Sequence, residues 1–219
     1  MDGSLNYIIQ DEELIFDCRR VVFWPRKKTL IAADLHWGKT QFLRNHGIAI
    51  SDEVLHADLT RLGDIIEDYQ AETLLVLGDL LHHEGSLTHG IIEKIAYFRN
   101  RHPCELILVK GNHDRFAKFP ESWGIVEEPF FYQNSFSFHH ELQAKEPKFQ
   151  FAGHIHPMIR LKAGHDMIRV PSYIISPSHC LLPAFSHFTG GQDIKLKPAD
   201  EAILILGEGL EILKRKKPV

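Results

Sequence analysis

The chain has no apolar run approaching the roughly 20 residues needed to cross a bilayer, so a membrane-spanning protein is excluded on this reading. Its first segment, MDGSLNYIIQDEELIFD, is acidic and lacks the continuous apolar stretch of a signal peptide. Cysteine is scarce: Cys18, Cys104 and Cys180 stand far apart, form no CxxC and leave one unpaired however they are matched. A disulfide scaffold and a thiolate zinc site are thereby excluded, and a reducing cytoplasm is the expected location. There is no excess of basic charge, since 25 Lys and Arg face 29 Asp and Glu for a net charge of −4. An extended basic face of the kind many nucleic-acid binders carry is not signalled. Internal repeats, low-complexity stretches and linkers are also missing, and 219 residues suit one medium-sized domain covering 1–219. The KRKK run at 214–217 reads as a solvated tail.

What the chain has in plenty is histidine, 15 in all, inside an otherwise ordinary globular composition of 44% hydrophobic and 25% charged residues. Four short apolar segments rich in β-formers read as buried strands: TLIAAD (29–34), TLLVLGD (73–79), ELILVKGN (105–112) and KFQFAGH (148–154). Between the first two, Val54, Leu55, Leu59, Leu62, Ile65, Ile66 and Tyr69 recur at helical spacing after a possible N-cap, Ser51. A second helix is expected over 90–100, where Ile91, Ile92, Ile95 and Phe98 are apolar. Alternating strands and helices argue for parallel crossovers. The flanks instead offer short strand pieces: YIIQ, LIFD and RVVFWP with a turn at 25–28, then MIRVPSYII, LLPAF and AILILGEGL broken by Pro and Gly. The expected fold class is α/β, with mixed sheets packed as a sandwich and flanked by helices.

All four central strands end in metal-binding or acid–base residue types, at the carboxyl ends where open α/β sheets collect their ligands. The first ends in Asp34-Leu35-His36, whose spacing of two puts a carboxylate and an imidazole on one side of an extended chain. The second ends in Gly78-Asp79, the third in Gly111-Asn112-His113-Asp114 and the fourth in Gly153-His154-Ile155-His156. Each alone reads equally as a cap, a turn or a pair of loop histidines. Independent caps and turns have no reason to fall in this order at four successive strand ends, so the set reads as one metal site. Imidazole with carboxylate and amide oxygen, without thiolate, suits manganese, iron or zinc.

The order D-x-H, G-D, G-N-H-D, H, G-H-x-H, running from Asp34 to His156, resembles the calcineurin-like metallophosphoesterase superfamily. That resemblance implies a two-sheet sandwich flanked by helices with two divalent metals at its edge. One metal would be held by Asp34, His36 and His156, the other by Asn112 and His154, with Asp79 bridging them. A further histidine ligand is implied between GNHD and GHxH, where NSFSFHHEL offers His139 and His140. His140 is the choice, because it shares its side of an extended strand with Phe136 and Phe138, and because the His-Glu-Pro common in relatives lines up with His140-Glu141-Leu142. The resemblance further implies manganese as the first metal, with iron or zinc as alternatives, and a hydroxide shared between the metals that attacks phosphorus in line. His113 would protonate or stabilise the leaving oxygen, and Asp114 is expected to orient its ring.

DLHWGKTQFLRNHGI, GDLLHHEGS and LPAFSHFTGG (182–191) are similar to the DNA ligase-associated, PdeM-type branch, which implies a DNA phosphodiesterase or endonuclease linked to repair, with a DNA ligase and a helicase as functional partners. The alternatives are a small-molecule or cyclic-nucleotide phosphoesterase and a non-catalytic scaffold, the last disfavoured because every ligand and the acid are present. Lys39 and Arg160 are expected to reach a substrate phosphate, and Trp37 to contact substrate. His82, His83 and His187 are placed around the ligands, and Arg19, Arg20, Lys27 and Lys28 are basic residues with the chance to cluster. The oligomeric state is left open.

Overall fold

The computed structural model describes residues 3–51 and 53–215. The three early strand pieces form β1 (Ser4–Ile9), β2 (Glu12–Asp17) and β3 (Val21–Trp24), an antiparallel meander that continues into β4 (Thr29–Ala32). The expected turn at 25–28 is a single 3-10 turn in which Lys28 takes a left-handed φ of 45° and donates its N–H to the Pro25 carbonyl. From β4 onward the pairing becomes parallel, adding β5 (Thr73–Leu77), β6 (Glu105–Val109) and β7 (Ile125–Glu128) in chain order.

Helices make the first two crossovers, while β6 reaches β7 through a loop with one 3-10 turn, Glu121–Trp123. A short α1 (Lys39–Asn45), starting after Gly38 in the left-handed region, was not foreseen in the DLHWGKTQFLRNHGI motif. The expected longer helices are α2 (Glu53–Tyr69) and α3 (His89–Arg101), each begun by a hydroxyl: Ser51 accepts the Glu53 N–H at 3.1 Å and Thr88 the Ile91 N–H at 3.4 Å. The period-3.6 stripe of α2, from Leu55 to Tyr69, and Ile91, Ile95 and Phe98 of α3 cover one face of the sheet. Along the parallel strands Leu30, Leu74, Val76, Leu106 and Leu108 face those helices, while Ile31, Leu75, Leu77, Ile107 and Val109 face the other way. Both faces are buried, which is why these strands read as continuous apolar runs.

The second face meets a nine-stranded sheet made of β8 (Phe131–Gln133), β9 (Phe136–Phe138), β10 (Phe149–Ala152), β11 (Pro157–Ala163), β12 (Asp166–Ser176), β13 (His179–Leu181), β14 (Gln192–Asp193), β15 (Glu201–Leu206) and β16 (Gly209–Lys214). Its order is β14-β11-β12-β13-β10-β9-β8, with β15 also pairing β12 and carrying β16. Phe136, Phe138, Phe151, Tyr173 and Ile203 pack from it onto Phe16, Trp24, Ile31, Leu75 and Val109 of the first sheet. The expected mixed sandwich is therefore present. One correction concerns the fourth ligand-bearing strand: β10 lies in the second sheet, between β9 and β13, and not beside β6. Pro171 does not break its strand, because it pairs with Met158 on one side while β15 joins only from Ser172. LLPAF is strand only at Leu181; Pro183 has no N–H to donate, and the chain leaves the sheet so that Phe185 donates to the Ala33 carbonyl at 2.8 Å. Among the described residues no helix is long and apolar enough to cross a membrane.

Candidate metal centre

Asp34, Asp79 and Asn112 follow the carboxyl ends of β4, β5 and β6, and His154 follows β10, so loops from both sheets meet at one end of the sandwich. Asp34 and His36 do converge, but through tight left-handed turns rather than strand alternation. Asp34, His36, Asp79, His154 and His156 have φ of 55°, 49°, 51°, 68° and 48°, and they make up five of the eleven described non-glycine residues with positive φ. Such conformations cost about 1–2 kcal/mol each and gather where function over-determines the backbone. Backbone bonds hold them: Asp34 N–H to the Gly78 carbonyl (3.1 Å), His36 N–H to the Asp79 carbonyl (2.9 Å) and His154 N–H to Asp34 Oδ2 (2.9 Å). The motif glycines are needed for close approach. A Cβ at Gly78 would lie 2.1 Å from His140 Nδ1, one at Gly111 2.2 Å from Asp79 Oδ1, and one at Gly153 2.5 Å from Asp34 Oδ2.

Two ligand groups result. Asp34, His36 and His156 bring their ligand atoms within 4.8 Å of one another, and so do Asp79, His140 and His154. In the first group His156 Nε2 lies 3.4 Å from His36 Nε2 and 3.3 Å from Asp34 Oδ1. His156 Nδ1 is 2.9 Å from the Gly190 carbonyl and so carries the proton, which leaves Nε2 with its lone pair turned inward. In the second group His140 Nδ1 donates to the Leu77 carbonyl (3.0 Å), and Nε2 faces Asn112 Oδ1 (2.9 Å), His154 Nδ1 (2.9 Å) and Asp79 Oδ1 (3.5 Å). His140 Nδ1 also lies 3.9 Å from Asp34 Oδ1, which joins the two groups.

These residues fit metal ions. Acceptor lone pairs converge with too few protons among them, and the fully buried Asp34 Oδ1 has no hydrogen-bond partner. Burial pushes the His36 imidazole down to about 2, so it stays neutral and able to ligate. Burial raises the Asp79 carboxyl despite the opposing pull of His140. His140, rather than its neighbour, belongs to this cluster; His139 turns to Glu146 (3.4 Å) and packs against Tyr132.

The remaining expected residues divide. His113 is at the rim, with its backbone N–H on Asp79 Oδ1 (3.0 Å) and Nε2 3.8 Å from Asp79 Oδ2. Its ring is not oriented by Asp114, which is a correction to the expected catalytic role. The His82 carbonyl accepts from His113 Nδ1 at 2.6 Å, whereas Asp114 is buried and accepts the backbone N–H groups of Leu80 (3.2 Å), Leu81 (3.0 Å) and Gly111 (3.1 Å). Asp114 thus staples the β5 and β6 loops together. His82 stacks on His113 with ring centroids 5.3 Å apart. Trp37 is also corrected: it is 1% exposed, packed edge-on against Phe98 and Trp123 in the helix-side core, and cannot touch a substrate. Lys39 is half-buried, reaches Thr189 Oγ1 at 3.3 Å, and acts electrostatically on His36 and His82. Arg160 is exposed and held by Asp193. Sequence reasoning missed the carbonyls of Leu77, Gly190 and His82 and the carboxylate of Glu141, 3.6 Å from His154 Nε2. Backbone acceptors carry no residue-type signal by which to find them.

The model of the calcineurin-like phosphoesterase family matches residues 27–152, more than half of the chain and all of the expected ligands except His154 and His156. The chain belongs to the calcineurin-like phosphoesterase family. As a member it is a metal-dependent phosphoester hydrolase, and the two ligand groups suit the two divalent metals used by calcineurin-like phosphoesterases. Among solved structures it is similar to a nuclease from Pseudomonas putida, MPE, with 31% identity, 96% of this chain and 100% of that chain covered, and a TM-score of 0.83. It also matches Yfce, a phosphoesterase from E. coli, at 16% identity over 85% of this chain and 92% of that chain, with a TM-score of 0.40. No curated protein sequence matches.

Proposed function

We propose that this calcineurin-like phosphoesterase is a two-metal phosphodiesterase that cuts DNA, in a cytoplasmic repair setting shared with a DNA ligase and a helicase. The observation that carries the two-metal part is the pair of adjoining ligand groups. Asp34, His36 and His156 would hold one ion, Asn112, His140 and His154 the other, and Asp79 would serve both; manganese is the first choice, with iron and zinc next. When bound, such a pair supplies Lewis acidity and water activated near neutral pH.

The chain's own residues do the rest. Leu77 and Gly190 fix the tautomers of His140 and His156 so that Nε2 of each is presented inward. His113, with Nδ1–H given to the His82 carbonyl, would as an imidazolium pass its Nε2 proton to the leaving oxygen and remain as the Nδ1–H imidazole. Lys39 offers a half-buried positive charge to the phosphate oxygens. A polymeric substrate is supported by the nuclease at 31% identity; a cleft of about 600 Å³ beside Asn112 and His140 offers room for it, with Arg115 on a wall that also carries Glu128, Glu141 and the Lys110–Glu127 pair. All three cysteines are free thiols, in keeping with a reducing compartment.

The test is a substrate panel: metal-stripped protein reloaded with manganese, iron or zinc, then given bis-(p-nitrophenyl) phosphate, p-nitrophenyl phosphate, cyclic nucleotides and single-stranded DNA. Metal-dependent cleavage of the diester and of DNA is expected. Cleavage of the monoester or of cyclic nucleotides alone would replace the DNA assignment.

A further inference from the structure

Sharing no lining residue with the 600 Å³ cleft, a second cavity of about 290 Å³ is lined by Arg20, Arg169, His187, Thr189 and Gly190 as well as by His156. Its wall contains an unusual cation. Arg20 sits in a left-handed backbone conformation, φ 72°, and its Nη1 donates to the carbonyls of Ala184 (3.2 Å) and Ser186 (3.1 Å). Neighbouring arginines are neutralised: Arg19 by Asp17 at 2.7 Å and Arg61 by Asp58 at 3.0 Å. Arg20 makes no ion pair with any carboxylate among the described residues. Burial and the nearby Arg61 charge push its guanidinium down to about 10, so it still carries its charge at neutral pH. Keeping an unpaired guanidinium largely out of water beside a like charge is costly unless an anion is to be received.

The rest of the wall is largely apolar, with Pro157, Met158, Pro171 and Pro183, so the polar groups gather at the Arg20 and Thr189 side. Thr189, which receives the Lys39 ammonium, links the cavity to the catalytic face, and Arg169 stands at the mouth, where Asp193 and the Gly191 carbonyl hold it in place. Arg20 is therefore the cation of this cavity that has no carboxylate partner, since Arg169 is paired with Asp193. The scissile phosphate belongs at the ligand groups, so an anion in this cavity must be a different one. In a nucleic-acid strand the next phosphate is one nucleotide away.

We propose that the cavity is an anion subsite that takes the phosphate adjacent to the scissile one, making a diester with a second phosphate the preferred substrate. This rests on the phosphodiesterase reading above and extends it from the reacting bond to the strand. Arg20 is then a positioning residue, recognising the backbone without reading bases.

The experiment uses manganese-loaded full-length protein and two pairs of chromogenic diesters. Thymidine 5′-(p-nitrophenyl phosphate) is compared with its 3′-phosphorylated form, and thymidine 3′-(p-nitrophenyl phosphate) with its 5′-phosphorylated form. In at least one pair the added phosphate should lower KM roughly ten-fold or more with little change in kcat, as expected for one charge-assisted contact. Arg20→Gln should erase that gain, and Arg169→Ala, at the exposed mouth, should lose part of it. Because Arg20 also braces two carbonyls, the wild-type comparison and Arg169→Ala decide the matter even where Arg20→Gln does not fold. No gain in either pair, or full retention of the gain in the variants, overturns the subsite while leaving the phosphodiesterase reading standing. Hydrolysis of p-nitrophenyl phosphate with none of the diesters overturns both.

Discussion

Gly78→Ala probes the coupling between backbone shape and metal ligation. Gly78 has φ of 79°, where an L-residue is strained by about 1–2 kcal/mol. Its new Cβ would also lie 2.1 Å from His140 Nδ1, 2.5 Å from His140 Cγ and 2.9 Å from the Gly111 Cα. The ring must retreat by about 1.5 Å to reach ordinary contact distance. That breaks the 3.0 Å bond to the Leu77 carbonyl, leaving buried groups unpaired at about 1–3 kcal/mol. A total near 3 kcal/mol lowers the melting temperature of a chain this size by about 6–12 °C. Gly124→Ala is the control, since φ is 59° but nothing lies within 4 Å of its Cβ; strain alone predicts about 2–8 °C. The assay is thermal unfolding of metal-free protein together with metal content after dialysis against manganese. Gly78→Ala should lose the ion proposed for Asn112, His140 and His154 and retain the other, while Gly124→Ala should bind as wild type does. Equal melting shifts in the two variants, or two ions retained in Gly78→Ala, would refute the reasoning.

Three further outcomes follow from the same structure. His113→Ala should keep its metals and lose most turnover, roughly 10²-fold or more for a general acid, and unchanged kcat would remove His113 from the mechanism. Asp114→Ala should leave three buried N–H groups unsatisfied and destabilise by about 3–5 kcal/mol in chemical unfolding, whereas a catalytic role would show as lost turnover at unchanged stability. Asp17 is held ionised below its ordinary range: burial opposes this, but the hydrogen bonds from Arg19 and Tyr69 outweigh it. Its folded pKa is the lower one, so its contribution is complete above the unfolded value near 4 and fades as pH falls through the folded value. Asp17→Asn should therefore flatten the acid side of the stability–pH curve; a curve parallel to wild type would contradict this.

The parts of this molecule legible from sequence are those in which residue type and spacing carry the physics. The double-sided apolar runs of β4, β5 and β6, the stripe of α2 and the Gly-Asp, Gly-Asn-His and Gly-His-x-His strand ends all belong to that class. The glycines proved informative for a reason spacing does not reveal, namely that a ligand atom occupies the volume of each missing Cβ. Long-range placement was illegible. Nothing local to KFQFAGH assigns β10 to the second sheet, and Trp37 beside a ligand gives no sign that its ring turns into the core. Asp114 looked like a partner for His113 because it is adjacent in sequence; the loop geometry aims it at backbone donors instead. Arg20 lies 136 residues before His156 and reaches its cavity only because the β2–β3 turn abuts the 182–191 loop.

The most direct test of the two-metal account is a titration of metal-stripped protein with manganese while p-nitrophenol release from bis-(p-nitrophenyl) phosphate is followed. The account predicts no turnover without metal and a rise that saturates at two ions per chain. Turnover in the stripped protein, or saturation at a single ion, would contradict it.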